Sequence, residues 1–472
     1  MKRTKIICTI GPATESVEKI QALVKNGMNC ARLNFSHGTH ERHRLLIKNI
    51  RSASKKLKQP IAIIQDLQGP RLRLGQLPSD GIAVKRGETV VLVFEGEKSS
   101  PAPAGATVLP TQEPLGKFVK KGELILIKDG LVRLRTVSVK GSLVIAKVEQ
   151  GDVLTSNRGI NLPESRLPDV VITKKDRDDV KFGLKEEVDW LALSFVRDQG
   201  DIKRLRQLLP ATGSYIPKII AKIERQEAVE NFDKILEAAD AIMIARGDLG
   251  IELPAQEIPL LQKQFIEKCL KASKPVIVAT QMLESMTVNA RPTRAEVSDV
   301  ANAVIDHADC LMLSGETSTG KFPVETCQMM NQIIKETEAS RYDDLAREEP
   351  VANLVPSIIA HTAEEVVGHD HIDAIAVMSS TGLSARLIAA ERPSSPIIAL
   401  TQNEITRRQM ALTWGVDPYF MKRYDNLDDL IKAAVNLVKK ELSIKRGGKI
   451  LIASGHPTGP HGSLNLLKIH TV

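Results

Sequence analysis

The sequence predicts an α/β protein: a (β/α)8 TIM barrel, with a small antiparallel β-barrel lid domain inserted in one of its loops and a C-terminal α/β domain. Three observations predict it. Eight short, β-branched runs lie between residues 5 and 316, and helical patterns separate nearly all of them. One connection, from "QDL" at 65–67 to "DWLALSF" at 189–195, is far too long and is rich in turns. After residue 350 a second alternation of strand and helix patterns begins.

The first run is "KIICTIG", followed by "VEKIQALVKNG". In that segment Val17, Ile20, Leu23 and Val24 share a helix face, Ser16 can cap its start and Gly27 suits the position after its end. Next come "NCARLNF", "IAIIQDL", "DWLALSF", "KIIAKIE", "AIMIARGD", "PVIVATQ" and "CLMLSGE", with helical stretches such as 255–272 and 293–306. Strands apolar along their whole length are buried on both faces, as in a parallel sheet ringed by helices. Eight of them suggest closure into a barrel. An open doubly wound sheet is the alternative, but no GxGxxG follows the first strand.

The long connection contains "VVLVF", "GELILI", "LVRLRTVSV" and "SLVIAKV". It reads as a small antiparallel domain that leaves the barrel rim and can act as a lid. The C-terminal part contains "DAIAVMS", "PIIALTQ" and "KILIASG". The expected domains are residues 1–70 and 169–345 for the barrel, 71–168 for the lid and 346–472 for the C-terminal α/β unit.

Composition narrows the function. The chain has 472 residues, 42% hydrophobic, enough for two or three cores. Aromatics are 3% and the net charge of +8 is diffuse, which disfavours nucleic-acid binding and suits a small polyanionic substrate. Five cysteines, an odd count without a CxxC pair, argue against a disulfide framework or structural zinc and for a reducing compartment. "MKRTKIICTIGPAT" does not fit a signal peptide and no apolar run reaches membrane-spanning length, so the expectation is a cytoplasmic protein away from membranes.

Each strand after the first is apolar early and polar at its C-terminal end: Arg32 and Asn34, Asp66, Ser194, Lys222 and Glu224, Arg246 and Asp248, Thr280 and Gln281, Ser314 and Glu316. In a barrel those ends share one rim, where active sites are built. Strands ending in polar loops explain one or two such residues well and seven sets poorly.

"IIAKIERQEAV" is the sharpest case. Lys222 and Glu224 stand two apart in an apolar run, so both leave the same face of the strand. Glu224 and Asp248 fall on adjacent strands, and two carboxylates with open positions suit Mg2+ or Mn2+. Lys222 is then available to a second anion. A structural ion pair between Lys222 and Glu224 is the bland alternative. A Schiff-base role for Lys222 fits less well, because Glu224 favours its charged form. Cations beside carboxylates suggest phosphoryl transfer, although no Walker A motif or kinase glycine loop is present.

These residues lie in longer motifs. "TKIICTIGPAT", "ARLNFSHG", "IIAKIERQEAV", "ARGDLGIELP", "ATQMLESM", "RPTRAEVSDVANAV" and "LMLSGETSTGKFPVET" resemble the pyruvate kinase family, as do "SNRGINLP" and the C-terminal "LNLLKIHTV". The resemblance implies phosphoryl transfer from phosphoenolpyruvate to ADP, giving ATP and, after enolate protonation, pyruvate. It implies that Glu224 and Asp248 hold Mg2+ and that Lys222 neutralises the moving phosphoryl group and the enolate. Thr280 matches a substrate-binding threonine near the protonation step, and Arg32 a phosphate-binding arginine. Gly247 and Asp248 match the segment that holds the substrate carboxylate. Asn34, Arg73 and Arg158 match nucleotide or phosphate contacts, with Arg158 in place of the usual lysine. Four subunits are usual in the family.

One departure concerns potassium. Many members read "DTKGPEIR" and need K+; this chain reads "DLQGPRLR". Asn34, Ser36 and Asp66 remain as oxygen ligands for a monovalent ion, but Leu67 replaces Thr and Arg71 replaces the acidic residue. Arg71 thus becomes a candidate built-in cation, and the expectation is that K+ is not required. The competing expectation is that Arg71 pairs with an acidic lid residue while K+ still binds. His307 stands where the family usually has Gly, and is expected to be a surface or helix-end residue without chemistry.

The segment "SSTGLSAR" precedes a helical pattern. It reads equally as an ordinary cap or as a phosphate loop. The matching family loop binds phosphorylated effectors, which points to Ser379, Ser380, Thr381 and Ser384 and to a sugar phosphate or AMP. Two rival functions stay open on the sequence: a metal-dependent aldolase or lyase on pyruvate-type substrates, and a binding protein, either an RNA binder or a catalytically inactive phosphometabolite sensor.

Overall fold

A computed structural model of the chain describes residues 2–472 except 97–104, 129, 166–170, 214, 343–353, 425 and 456–463. The expected domain limits at 168/169 and 345/346 fall outside the described residues.

Eight parallel strands close into a barrel: β1 (Lys5–Thr9), β2 (Met28–Asn34), β3 (Ala62–Asp66), β4 (Trp190–Leu193), β5 (Lys218–Ile223), β6 (Ala241–Ala245), β7 (Val276–Ala279) and β8 (Cys310–Leu313). They pair in sequence order, and β1 closes on β8 with Lys5 opposite Cys310. All eight runs expected from the sequence are strands. The pleat sorts their side chains into two cores. Ile7, Cys30, Ile64, Trp190, Ile220, Met243, Ile277 and Met312 fill the interior. Ile6, Leu33, Ile63, Leu191, Ile219, Ile242, Val278 and Leu311 face the outer helices. The first of these helices, Val17–Lys25, buries Ile20, Leu23 and Val24, and the Ser16 side chain accepts the Lys19 N–H at its start. Two further helices frame the rim: α1 (Arg246–Glu252), directly after β6, and α2 (Arg294–Ile305), between β7 and β8.

The insertion folds around its own apolar core, which includes Leu74, Val90, Leu92, Ile125, Ile127, Leu134, Val144 and Ile160. Its main sheet has seven strands in the order 72–73, 159–161, 124–127, 132–140, 143–150, 89–94, 107–111. One pair departs from the antiparallel expectation: 89–94 and 107–111 run parallel. Alternation of apolar and polar residues marks a strand but not its direction.

The C-terminal part is a five-stranded sheet of β9 (Ala374–Met378), β10 (Ile397–Thr401), β11 (Val416–Phe420), β12 (Lys449–Ser454) and β13 (Leu466–Thr471), with α3 (Leu383–Ala390) after β9. Its order is β11-β10-β9-β12-β13, parallel except for β13 against β12. The two unexpected strands are the edges. Pro418 is tolerated in β11 because that strand pairs on one side only.

This unit plugs the barrel floor. Ala411 and Leu412 join the interior core, and their carbonyls accept the Cys30 and Cys310 thiols. Asp189, fully buried before β4, binds the seam: one oxygen accepts the Ile63 N–H at 2.8 Å and Arg51 at 3.0 Å, the other accepts Arg408 Nε at 2.7 Å. Removing that carboxylate leaves two guanidinium groups without their shared counter-charge. Asp189→Ala is expected to lower unfolding free energy by about 3–5 kcal/mol in chemical denaturation, with circular dichroism of the native state unchanged.

Candidate active site

The site is built from the last residues of β2, β3 and β5 and the turns after β4, β6 and β7. Lys222, Glu224 and Asp66 are all buried there, at 8%, 2% and 1% exposure. Lys222 Nζ lies 2.8 Å from Glu224 Oε1 and 3.2 Å from Asp66 Oδ1, and donates to Ser194 Oγ at 2.8 Å. The Ser194 hydroxyl in turn donates to the Leu67 carbonyl at 2.7 Å. The second Asp66 oxygen accepts Arg32 Nε at 2.6 Å, and Arg32 also donates to Thr9 Oγ1 at 3.0 Å. Lys222 thus bridges two carboxylates, where the sequence had suggested at most one.

Burial by itself would lower the Lys222 pKa, but Asp66 and then Glu224 reverse the effect and hold it above the ordinary lysine value. The ammonium stays charged. For Asp66, burial opposes ionisation, and Lys222 and Arg32 overcome it to lower the pKa. Glu224 moves the other way: burial raises its pKa, Asp248 raises it further, and Lys222 offsets this only in part. Its free oxygen accepts the Phe195 N–H at 2.7 Å. Phe195 presents that N–H from the left-handed region, at φ 57°. The turn fits because Gly69 packs against it: a Cβ there would come within 2.9 Å of Phe195 Cδ2.

Asp248, expected at a strand end, lies instead in the first turn of α1. Its influence on Glu224 is that of a like charge, which a divalent cation between them would relieve. Among the described residues no group of three His, Cys, Asp or Glu side chains is placed to hold a metal ion. An ion held here has two protein carboxylates and open positions, the pattern that suits Mg2+ with substrate oxygens and water. The residues present therefore fit such an ion.

Arg246 was expected among the rim residues facing the site. It turns outward, making two bonds of 2.7 Å to Asp299. Thr280 follows β7 at φ 71°; its Oγ1 accepts the Gly247 N–H at 2.8 Å and donates to the Ala279 carbonyl at 2.6 Å. The Gly247 N–H, a candidate for the substrate carboxylate, is therefore already engaged by Thr280.

Asn34 sits opposite Asp66 in the β2–β3 register, and its side chain accepts the Ser36 N–H at 3.0 Å. His37, next in the chain, has a lowered pKa: burial acts first, followed by Arg73, Arg71 and Arg32. Three guanidinium groups therefore share this corner. Arg71 Nη2 stands 4.0 Å from Asp248 Oδ1 and against Gly159, where a Cβ would lie 3.1 Å from its Nε. Its carboxylate neighbour is thus a barrel residue and not a lid residue. Arg73 donates to the Asn157 carbonyl at 2.9 Å and Arg158 to Thr155 Oγ1 at 2.8 Å, both within the lid. His307 ends α2 as expected for a helix-end residue, with φ 66°, but it is buried and not at the surface.

The C-terminal loop lies far from this rim, beside the start of β5. Ser379 is buried, and Thr381 Oγ1 receives the Leu383 N–H at 3.4 Å, a local cap at the start of α3. Beneath the loop lie two cations that sequence reasoning passed over. Lys218 Nζ donates to the Thr381 carbonyl at 3.4 Å and lies over the Trp190 ring. A Cβ on Gly382 would be 3.4 Å from Arg386 Nη1 and 3.7 Å from Lys218 Nζ. Burial, with help from Arg386, lowers the Lys218 pKa to about 7. Arg386 Nε is buried without a hydrogen-bond partner. The sequence signal was the arginine ending "SSTGLSAR".

Comparisons with known proteins agree with this fold. The family model described as pyruvate kinase, barrel domain, matches residues 1–327, and that described as pyruvate kinase, alpha/beta domain, matches residues 357–470. The chain is 41% identical over 480 residues to a pyruvate kinase of Geobacillus stearothermophilus, covering 100% of this chain and 80% of that protein. It is 40% identical to pyruvate kinases of Staphylococcus haemolyticus and Staphylococcus epidermidis, covering 100% of this chain and 81% of each. Among the described residues no helix is long and apolar enough to cross a membrane.

A second titrating group lies close by. Glu252, at the end of α1, is raised from 4.5 to about 7 by burial, against the pull of Arg225 and with help from Glu227, Asp248 and Glu224. The folded protein keeps a proton there that the unfolded chain has released, so this contribution to stability fades as pH rises toward about 7. Glu252→Gln should therefore gain stability relative to the parent between about pH 5 and about pH 8, read by denaturant unfolding at both. A constant difference would show that Glu252 titrates normally.

Proposed function

The chain belongs to the pyruvate kinase family, and on that premise we propose how its barrel rim performs the family reaction, phosphoryl transfer from phosphoenolpyruvate to ADP with formation of pyruvate and ATP. The observation that carries the reading is the buried Lys222 ammonium between Asp66 and Glu224, with Asp248 beside Glu224. Glu224 and Asp248 would hold Mg2+ or Mn2+, which when bound supplies positive charge to the phosphoryl oxygens. Lys222 keeps its proton and acts as a fixed charge toward the moving phosphoryl group and the enolate, so the Schiff-base role is disfavoured. Arg32, anchored by Asp66 and Thr9, holds phosphate. Gly247 and Asp248 receive the substrate carboxylate, which shares the Gly247 N–H with Thr280 or displaces its hydroxyl. Thr280 stands at the protonation step. Asn34, Arg73 and Arg158 bind the nucleotide from the β2 end and the lid.

Arg71 is proposed as a permanent cation in place of K+. Its nearness to His37, three residues beyond Asn34, and to Asp248 supports this. The loop of Ser379, Ser380, Thr381 and Ser384 is proposed to bind the phosphate of a sugar phosphate or AMP, and Lys218 and Arg386 beneath it, with Arg386 Nε buried and without a hydrogen-bond partner, support an anion there. The homotetramer and the cytoplasm complete the proposal, the first from the family and the second from five unpaired cysteines. The aldolase and inactive-sensor readings have no observation of their own to set against the family.

A coupled assay with phosphoenolpyruvate, ADP and Mg2+ tests the core of this reading. Full turnover is expected in potassium-free, sodium-free buffer, and Lys222→Met is expected to lower kcat by roughly 10³-fold. A large activation on adding KCl would reject the role of Arg71, and a normal rate in Lys222→Met would reject that of the lysine. In the same assay, a sugar phosphate or AMP should shift the phosphoenolpyruvate saturation curve of the parent and leave that of Ser380→Ala/Arg386→Gln unmoved. An unmoved parent curve would remove the effector site.

A further inference from the structure

Thr280 and Gln281 are consecutive non-glycine residues in the left-handed region, with φ of 71° and 53°. Each such residue is strained and persists only where its surroundings over-determine it. The tethers come from Arg246. Its Nη2 donates to the Thr280 carbonyl at 3.0 Å and lies 2.9 Å from Met282 Sδ, while the next residue, Gly247, gives its N–H to Thr280 Oγ1. Arg246 is fixed in turn by Asp299, with Nη1 on Oδ1 and Nη2 on Oδ2, both at 2.7 Å. This fork-to-fork geometry permits one orientation of the guanidinium.

Asp299 lies on α2, and the same helix secures the far end of the turn. Glu296, in its first turn, accepts the Ser285 N–H at 2.7 Å and the Ser285 hydroxyl at 2.5 Å, besides closing the capping box with Thr293. Residues 280–285 are thus clamped at both ends to one helix. Arg246 itself is turned away from the substrate side, so it touches no reacting group in the proposed chemistry.

We propose that Asp299 and Arg246 are positioning residues that set where the Thr280 hydroxyl stands relative to the enolate. This rests on the reading that Thr280 serves the protonation step. A strut that only stabilises the fold would change Tm and leave the chemistry alone. A brace for Thr280, when loosened, would slow delivery of a proton to the methylene carbon of the enolate and act only while Thr280 is present.

The experiment is a double-mutant cycle of Asp299→Asn, chosen because it keeps the shape of the side chain, and Thr280→Ala. Two rates are followed: kcat with the KM for phosphoenolpyruvate, and deuterium incorporation from solvent into the pyruvate methyl group by NMR. Asp299→Asn is expected to lower kcat and methyl deuteration roughly ten-fold, to shift KM by less than about three-fold, and to add no loss in the Thr280→Ala background. Arg246→Lys, which keeps the charge and loses the fork, should behave as Asp299→Asn does and serves if that variant folds poorly. Normal deuteration in both, beside a slow Thr280→Ala, would overturn the brace alone. So would a loss that multiplies fully with Thr280→Ala. A normal rate in Thr280→Ala would refute both the brace and the role given to Thr280.

Discussion

A charged amine inside a protein needs a counter-charge, and the arrangement at Lys222 is the constraint around which the rim is organised. The site is buried, so the ammonium is kept by two carboxylates and a hydroxyl. Each partner is then committed. Asp66 must also hold Arg32; Ser194 must lean on the Leu67 carbonyl; Glu224 must find a donor for its other oxygen, which it takes from a residue in the left-handed region. Gly69 is required because that residue needs the space. One buried proton thus dictates side chains on β2, β3 and β5 and the turn after β4.

What the sequence disclosed follows from the same physics. A lysine and a glutamate two apart in an apolar run violate the alternation of a buried strand, and a violation is visible without neighbours. The eight strands were visible because burial on both faces leaves almost no polar residue until the end of each. Asp66 was visible as a polar strand end, yet its bond to Lys222 was not, because β3 and β5 are separated by the whole insertion and by β4. Arg246 looked the same as every other rim residue. Only the position of Asp299, on a helix distant in sequence, shows that it points outward. Lys218, at the start of a strand, resembled an ordinary solvated lysine until the C-terminal unit covered it. The edges β11 and β13 were hidden by Asp417-Pro418 and by Lys468 and His470, residues that half-paired strands tolerate and central ones do not.

The barrel floor shows how separate cores become one molecule. Ala411 and Leu412 complete the interior of the barrel from another unit, and Asp189 draws two arginines toward one carboxylate, from the barrel side and from the C-terminal side. The strands alone would leave an open end lined by small residues such as Ala62 and Ala241. The plug supplies the missing volume.

β5 crosses the barrel from mouth to mouth. Its inward face reads Lys218, Ile220, Lys222, so two lysines are divided by a single apolar layer, with their backbone positions roughly 13 Å apart along the strand. The same stave therefore serves two neighbourhoods: its upper amine answers to Asp66 and Glu224 on the rim, its lower one to Arg386 and Asp240 at the floor.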